Sequence, residues 1–233
     1  MTVEDLVRDR EPDVTGRSKQ LWLLPDGQCM VRLIPSLRSF TYDRDELVDG
    51  TAPLRLDFYE RAAEKMRAAG VPCAFRERVG SDSYLADYHP APPFEVIVKN
   101  VANGSTTRKY PGLFPDGEPL PRPVVKFDYR TEPEDQPIGE DYLRVLGLPV
   151  EQMRAYALAV NDVLRSWLDP LQVWDFCVIF GVGEDGLSLI SEVSQDCMRL
   201  RDVDGAPVDK DLFRQGASAE EIVARGREVL NEL

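Results

Sequence analysis

The residue pattern with most chemical content runs from Pro93 to Ser105. An apolar strand-like run, Phe94 to Val98, ends in Lys99-Asn100, and small residues then lead to Gly104-Ser105. A cation at a strand end followed by a Gly-Ser turn can hold an anion, with the ammonium supplying charge and backbone N–H groups and a hydroxyl supplying hydrogen bonds. Other reactive side chains are sparse. The four cysteines, Cys29, Cys73, Cys177 and Cys197, form no Cys-x-x-Cys pair, so they fit neither a zinc site nor a dense disulfide framework. Cys177 lies inside an apolar run with no histidine or cation beside it in sequence, and reads as a small hydrophobe rather than a nucleophile. The one histidine, His89, sits in a proline-rich stretch with no visible partner to activate it, which points to packing or surface.

The formal net charge is −13. Such a surface repels nucleic-acid phosphates and anionic membranes, and argues against both as partners, while leaving room for a local cluster of Arg and Lys that takes a small phosphorylated substrate. The N-terminal stretch has no apolar signal core and no segment approaches the ~18 apolar residues of a membrane helix, so a cytoplasmic location is expected.

Several elements must position these residues. Residues 1–14 read as a loose tail. An Asp26-Gly27 turn splits 21–34 into two strands, and residues 36–53 read as polar and irregular. Leu56, Tyr59, Ala63 and Met66 recur at helical spacing over about 54–69, with Gly70 as the stop. Strands follow near 72–79 and 82–88. The proline-dense 89–93 marks a lobe boundary, after which come a strand at 94–98, a Pro- and Gly-rich loop at 111–123 and a strand at 124–130. The clearest helix covers about 150–168 and ends before Pro170. Strands near 171–181 and 187–193 flank a turn at 183–186. A short helix near 208–214 and an amphipathic one over about 218–231 close the chain. Hairpin-length connections predict an α+β fold with mainly antiparallel sheet: a smaller N-terminal lobe over 15–90, a larger C-terminal lobe over 91–233, and a cleft between them.

Residues 93–105 also resemble a signature of the SAICAR synthetase family, Pro-x-Glu-(three apolar)-Arg-x-x-x-(small)-Gly-Ser, with Glu95, Gly104 and Ser105 matching and Lys99 in the arginine position. Four further stretches resemble family elements in the family's order. They are Gly16-Arg17-Ser18-Lys19, residues 173–181, residues 191–202, and Lys210-Asp211-Leu212-Phe213-Arg214. The resemblance implies an ATP- and Mg2+-dependent ligase. Such an enzyme phosphorylates the carboxylate of an aminoimidazole ribonucleotide and couples it to the amine of aspartate. It implies that Arg17 and Lys19, on the first strand of the small lobe, lie over the nucleotide phosphates. Glu95, Lys99, Ser105, Arg199 and Arg214 would form the substrate pocket, with Lys99 and Arg199 at the reacting groups. Asp196 would hold the loop that carries Arg199.

Departures from the family pattern cluster in the energy-handling part. Cys177 stands where the family has lysine, and Ile179 and Ser191 where it has the two acids that help hold magnesium. Glu192 remains as a metal ligand, with Asp175 and Glu132 as carboxylates that could have moved in. Three readings follow: a specialised ligase of nucleotide or nucleoside biosynthesis, an enzyme on a phosphorylated ligand that has lost ATP dependence, or a non-catalytic nucleotide-binding homologue. The oligomeric state is left open, a homo-oligomer included.

Overall fold

A computed structural model describes residues 3–39, 43–132, 134–183 and 186–233. The N-terminal sheet is antiparallel. Its five strands are β1 (Val14–Thr15), β2 (Lys19–Leu23), β3 (Gln28–Leu33), β6 (Phe75–Arg78) and β7 (Ser83–Asp87), in the spatial order β1-β2-β3-β7-β6. Pro25–Gly27 turn the β2–β3 hairpin, Gly27 taking a positive φ of 72° that glycine alone adopts without cost. The expected loose tail is instead packed. Residues Val3–Val7 form α1, Val7 is buried against Trp22 and Met30, and the Trp22 indole N–H donates to the Arg10 carbonyl at 2.9 Å. A large aromatic with a buried N–H needs such an acceptor, and the preceding chain supplies it.

The expected irregular stretch after β3 contains a hairpin, β4 (Ser36–Ser39) with β5 (Arg44–Leu47); residues 40–42 of that stretch lie outside the described ones. The polar strand sequence gives no alternation to read. The hairpin is held from elsewhere, with Arg44 lying 4.0 Å over the Phe213 ring.

Helix α2 (Thr51–Ala68) buries Leu54, Leu56, Phe58, Tyr59, Ala62, Ala63 and Met66 and ends before Gly70, whose φ of 77° breaks the helix. It packs on β3 and β6 and also on two later helices, α5 (Val150–Trp167) and α7 (Ala219–Glu232). A Ser218–Glu221 capping box starts α7.

The second sheet is also antiparallel, in the order β10-β9-β8-β11-β14. Its strands are β8 (Phe94–Val101), β9 (Pro119–Tyr129), β10 (Gln136–Ile138), β11 (Gln172–Val178) and β14 (Met198–Arg201). Strand β9 begins at Pro119, inside the expected loop. The prolines at 119, 121 and 123 alternate, so their missing N–H groups fall on one side, and β10 reaches only residues 127–129 on the edge away from β8. Short helix α3 (Ser105–Lys109) joins β8 to β9, α4 (Glu140–Val145) leads from β10 into α5, and α6 (Asp211–Arg214) follows β14. A separate hairpin, β12 (Phe180–Gly183) with β13 (Gly186–Leu189), reaches back to residues 72–74 through two backbone hydrogen bonds; the middle of its turn, 184–185, lies outside the described residues.

One hydrophobic cluster runs through both sheets and the helices between them. At the usual ~25 cal/mol per Å2 this burial is the main favourable term of the fold. His89 packs as expected: its Cβ lies 2.6 Å from where a Cβ on Gly181 would fall, and its ring lies closer still to one on Gly183.

Candidate active site

Strands β8 and β11 carry the central group of the site. Their register sets Lys99 opposite Asp175, and the Lys99 ammonium meets Asp175 Oδ2 at 2.7 Å. Arg199 on β14, the next strand, donates to the same oxygen at 2.7 Å. From Asp175 the charges continue into the C-terminal segment. Arg199 Nε lies 3.4 Å from Asp211, Arg201 pairs with Asp211 and with Asp209 at 2.8 Å, and Arg214 donates to Asp211 at 2.9 Å. Lys99, Arg199, Arg201 and Arg214 thus face Asp175, Asp209 and Asp211, four cations to three carboxylates. Burial alone would push the Asp175 carboxyl up, but Arg199 and Lys99 hold it below the usual carboxylate range.

Lys99 was expected at the reacting groups. It is 3% exposed, and its three donor directions go to Asp175, to Asn103 Oδ1 at 3.1 Å and to the Asn103 carbonyl at 3.4 Å. An ammonium has three N–H donors, so Lys99 acts beneath the surface as an anchor. Burial lowers its pKa, against the opposing pull of Asp175. Arg214 is half-buried, and so is Arg199. The Arg199 guanidinium rests on Gly104, where an added Cβ would come within 3.2 Å of Nη2, and Gly104 also has a φ of +54°. The turn therefore requires glycine twice over, once for the backbone and once for the close approach. Ser105 begins α3 directly after it and is half-buried.

Asp196 does not hold the loop carrying Arg199. Asp175 and Asp211 orient that guanidinium, while Ser194 Oγ accepts from the Asp196 backbone N–H at 3.3 Å and the Asp196 charge acts on Arg55.

Glu95, also on β8, lies opposite Asp128. Burial, then the charges of Asp135 and Asp128, push its carboxyl up to about 7, against Lys210 and Arg130. Between Glu95 and Lys99, Ile97 faces Cys177 across the strand pair. Burial raises the Cys177 thiol well above its ordinary value, which keeps it protonated and inert.

The other half of the site is built on β2 and α2. Arg17 is exposed at the tip of the β1–β2 turn rather than on a strand, and Lys19 is the first residue of β2. Burial lowers the Lys19 pKa while Glu192 pulls it back up. Glu192 is 7% exposed and pairs two-point with Arg55 of α2, at 2.7 Å from Nε to Oε1 and 2.6 Å from Nη2 to Oε2; Ser194 Oγ adds a third hydrogen bond at 2.8 Å. Arg130 acts on both Lys19 and Glu95, which links the two halves electrostatically.

This donor set does not fit the expected magnesium. Both Glu192 oxygens are taken by a guanidinium, Ile179 offers no side-chain oxygen, and Ser191 Oγ accepts from the Ile179 N–H at 2.8 Å. Asp175, the moved-carboxylate candidate, is taken by Lys99 and Arg199. Among the described residues no group of three or more His, Cys, Asp or Glu could hold a metal ion.

Sequence reasoning missed Arg55, Asn103 and Asp211. Asp211 lay in the quoted Lys210–Arg214 element, and Asn103 in the quoted 93–105 stretch. Arg55 had a signal too, a charge between Leu54 and Leu56 on the apolar face of a helix.

The family model for SAICAR synthetase matches residues 14–230. The phosphoribosylaminoimidazole-succinocarboxamide synthase of Methanocaldococcus jannaschii is 28% identical over 99% of this chain and 97% of its own length. That of Methanopyrus kandleri is 30% identical over 86% and 85%. Among solved structures, a SAICAR synthetase in complex with ADP superposes with a TM-score of 0.87 at 24% identity, over 94% of this chain and 97% of that one. The SAICAR synthase of Saccharomyces cerevisiae complexed with SAICAR gives 0.79 at 14%, over 94% and 93%. At these identities the two structures speak for the fold.

Proposed function

Because the chain belongs to the SAICAR synthetase family, we propose that it is an ATP-driven ligase that forms an amide between a carboxylated aminoimidazole-type ribonucleotide and an amino acid such as aspartate. A carboxylate is a poor electrophile beside an amine. Its oxygen attacks the γ-phosphorus of ATP and ADP leaves. The amine then attacks the acyl carbon, phosphate departs with the bonding electrons, and the nitrogen sheds a proton. There is little covalent work for the protein, so positioning and charge neutralisation carry the rate.

The observation that carries the reading is the surplus of positive charge around Asp175 in a chain of net charge −13. Under this reading Arg199 and Arg214 take the anionic groups of the ribonucleotide, with planar guanidinium forks suited to phosphate or carboxylate. The Gly104–Ser105 turn supplies hydrogen-bond donors, Lys99 and Asp175 hold Arg199, and Glu95 contacts the substrate. Lys19 and Arg17 take the nucleotide phosphates. The altered residues on the nucleotide side suit a specialised substrate in nucleotide or nucleoside biosynthesis.

A second reading, a reaction on a phosphorylated ligand without ATP, is favoured by one observation: Ile97 and Cys177 make an apolar pair near Glu95. Calorimetric titration with ATP and with an aminoimidazole ribonucleotide carboxylate separates the two, followed by turnover with aspartate. Binding of both, and amide formation, is the expected result. Binding of the ribonucleotide alone moves the conclusion to the second reading, and binding of neither removes both.

A further inference from the structure

We propose that Arg55 stands in for the divalent ion on the nucleotide side. Glu192 binds this guanidinium instead of a metal, and Arg55 and Lys19 hold a nucleotide there with no bond between protein and metal. The inference rests on the ligase reading above and deepens it.

The geometry of Glu192 is the first support. Each of its oxygens has an Arg55 nitrogen 2.7 or 2.6 Å away, and Oε1 also accepts from Ser194. A magnesium ligand sits ~2.0–2.1 Å from its oxygen. A divalent ion at that distance would press against a guanidinium fixed on the same two atoms, and like charges at such range repel strongly in a buried site. Arg55 is also held from a third side: it is 5% exposed, and Nη1 donates to the Ile34 carbonyl at 2.9 Å.

The second support is where that anchor leads. The Ile34 N–H donates to the Ser18 carbonyl at 2.9 Å, and Lys19 pairs in register with Leu33. Arg55 is therefore tied to the strand end that carries Lys19, and both cations act on Glu192. Three of the five Arg55 N–H groups are used by Glu192 and Ile34, which leaves two for phosphate oxygens. Asp196 is a further negative charge that Arg55 feels.

The third support is chemical substitution. Ile179 has no side-chain oxygen, Ser191 Oγ already accepts from the Ile179 N–H at 2.8 Å, and Glu192 is held by Arg55. A fixed guanidinium provides positive charge at the same carboxylate without requiring an ion to be captured.

The test uses the full chain as wild type, E192Q, R55Q and R55K. Mn2+ uptake is read by electron paramagnetic resonance with and without ADP, and ADP affinity by calorimetry in chelator and in Mg2+. Wild type and E192Q should take up the same Mn2+ within about twofold, since any bound ion rides on ADP itself. ADP affinity should differ by no more than about threefold between chelator and Mg2+. R55Q should weaken ADP by about 10- to 100-fold, the range of a lost charged hydrogen bond, and R55K, a soluble fallback should R55Q not fold, by less. Mn2+ that wild type holds and E192Q loses, or ADP binding unmoved in the Arg55 variants, overturns the inference alone. Failure of ADP to bind with or without metal overturns the ligase reading together with it.

Discussion

Across strands β8 and β11, the carboxylate of Asp175 is shared by two cations, whereas on α2 the guanidinium of Arg55 is matched two-point to the single carboxylate of Glu192. Both arrangements are buried, and both satisfy the rule that a charge out of water must be paired. They leave different things at the surface. Around Asp175, Lys99 is the inner anchor and Arg199 stays half-exposed on the Gly104 turn. At Glu192, the carboxylate closes on Arg55 and Ser194 with three of its four lone-pair sites, and Lys19 is the second cation that acts on it. The Asp175 group is thus a carboxylate that presents arginine. The Glu192 group is an arginine that withholds a carboxylate.

The sharpest way to break this contrast is to remove the shared carboxylate. Asp175→Ala leaves Lys99 buried with only amide oxygens and frees Arg199. Removing one partner of a buried pair costs ~3–5 kcal/mol, so a large drop in urea midpoint is expected, together with loss of ribonucleotide binding. A small drop would mean that Lys99 reaches water or another acceptor, and the anchor role would fail. Next comes Arg199→Ala, which keeps the buried Lys99–Asp175 pair. Ligand affinity should fall by ~1.5–3 kcal/mol, the scale of a lost charged hydrogen bond, with little change in melting temperature. Arg199→Lys should not restore it, because a point charge lacks the two-point fork. Recovery by lysine would show that Arg199 contributes charge alone.

How much of this was legible in the chain differs by region for physical reasons. The strand at 94–101 and the helices over α2, α5 and α7 follow from apolar periodicity, since each buries one face or both. The Gly104–Ser105 turn was readable as an anion-holding feature, and the structure adds that its glycine makes room for Arg199. Arg55 was hidden by the same periodicity: position 55 falls in the buried stripe of α2, where a side chain's partner is set by tertiary packing, here Glu192, 137 residues away. The second half of strand β9 was read as the strand at 124–130, but its start was hidden by the prolines at 119, 121 and 123, which read as loop unless the strand's free edge is known. The magnesium expectation for Glu192 came from the family resemblance and its residue type, and neither can reveal which cation a carboxylate already holds.

A smaller effect separates Glu95 from the paired carboxylates. Its folded pKa of about 7 lies above the ordinary 4.5, so between those values the folded state binds more protons than the unfolded. Stability from this group is full below about 4.5 and is lost as pH rises toward 7, by ~1–3 kcal/mol. Asp175 and Glu192 have the opposite sign, because their folded pKa values are lowered and their contribution is lost only as pH falls below the ordinary carboxylate range. Urea melts of wild type and Glu95→Gln between pH 5 and 7.5 should therefore diverge as pH rises, with wild type weakening relative to the variant. A parallel pair of curves would place Glu95 in water.

The smallest expected effect concerns the apolar pair on β8 and β11, near Glu95. Cys177 is half-buried opposite Ile97, with its thiol held protonated by burial. It fills space there, so Cys177→Ala should cost ~1 kcal/mol or less, in line with removing one small buried group. Amide-forming turnover should be unchanged within about twofold. In the native state, iodoacetamide should modify Cys177 slowly up to mildly alkaline pH, since the thiolate is the nucleophile. Turnover abolished by Cys177→Ala with ribonucleotide affinity intact would assign the thiol a covalent role, and would make the pair a third reacting region in place of a passive floor.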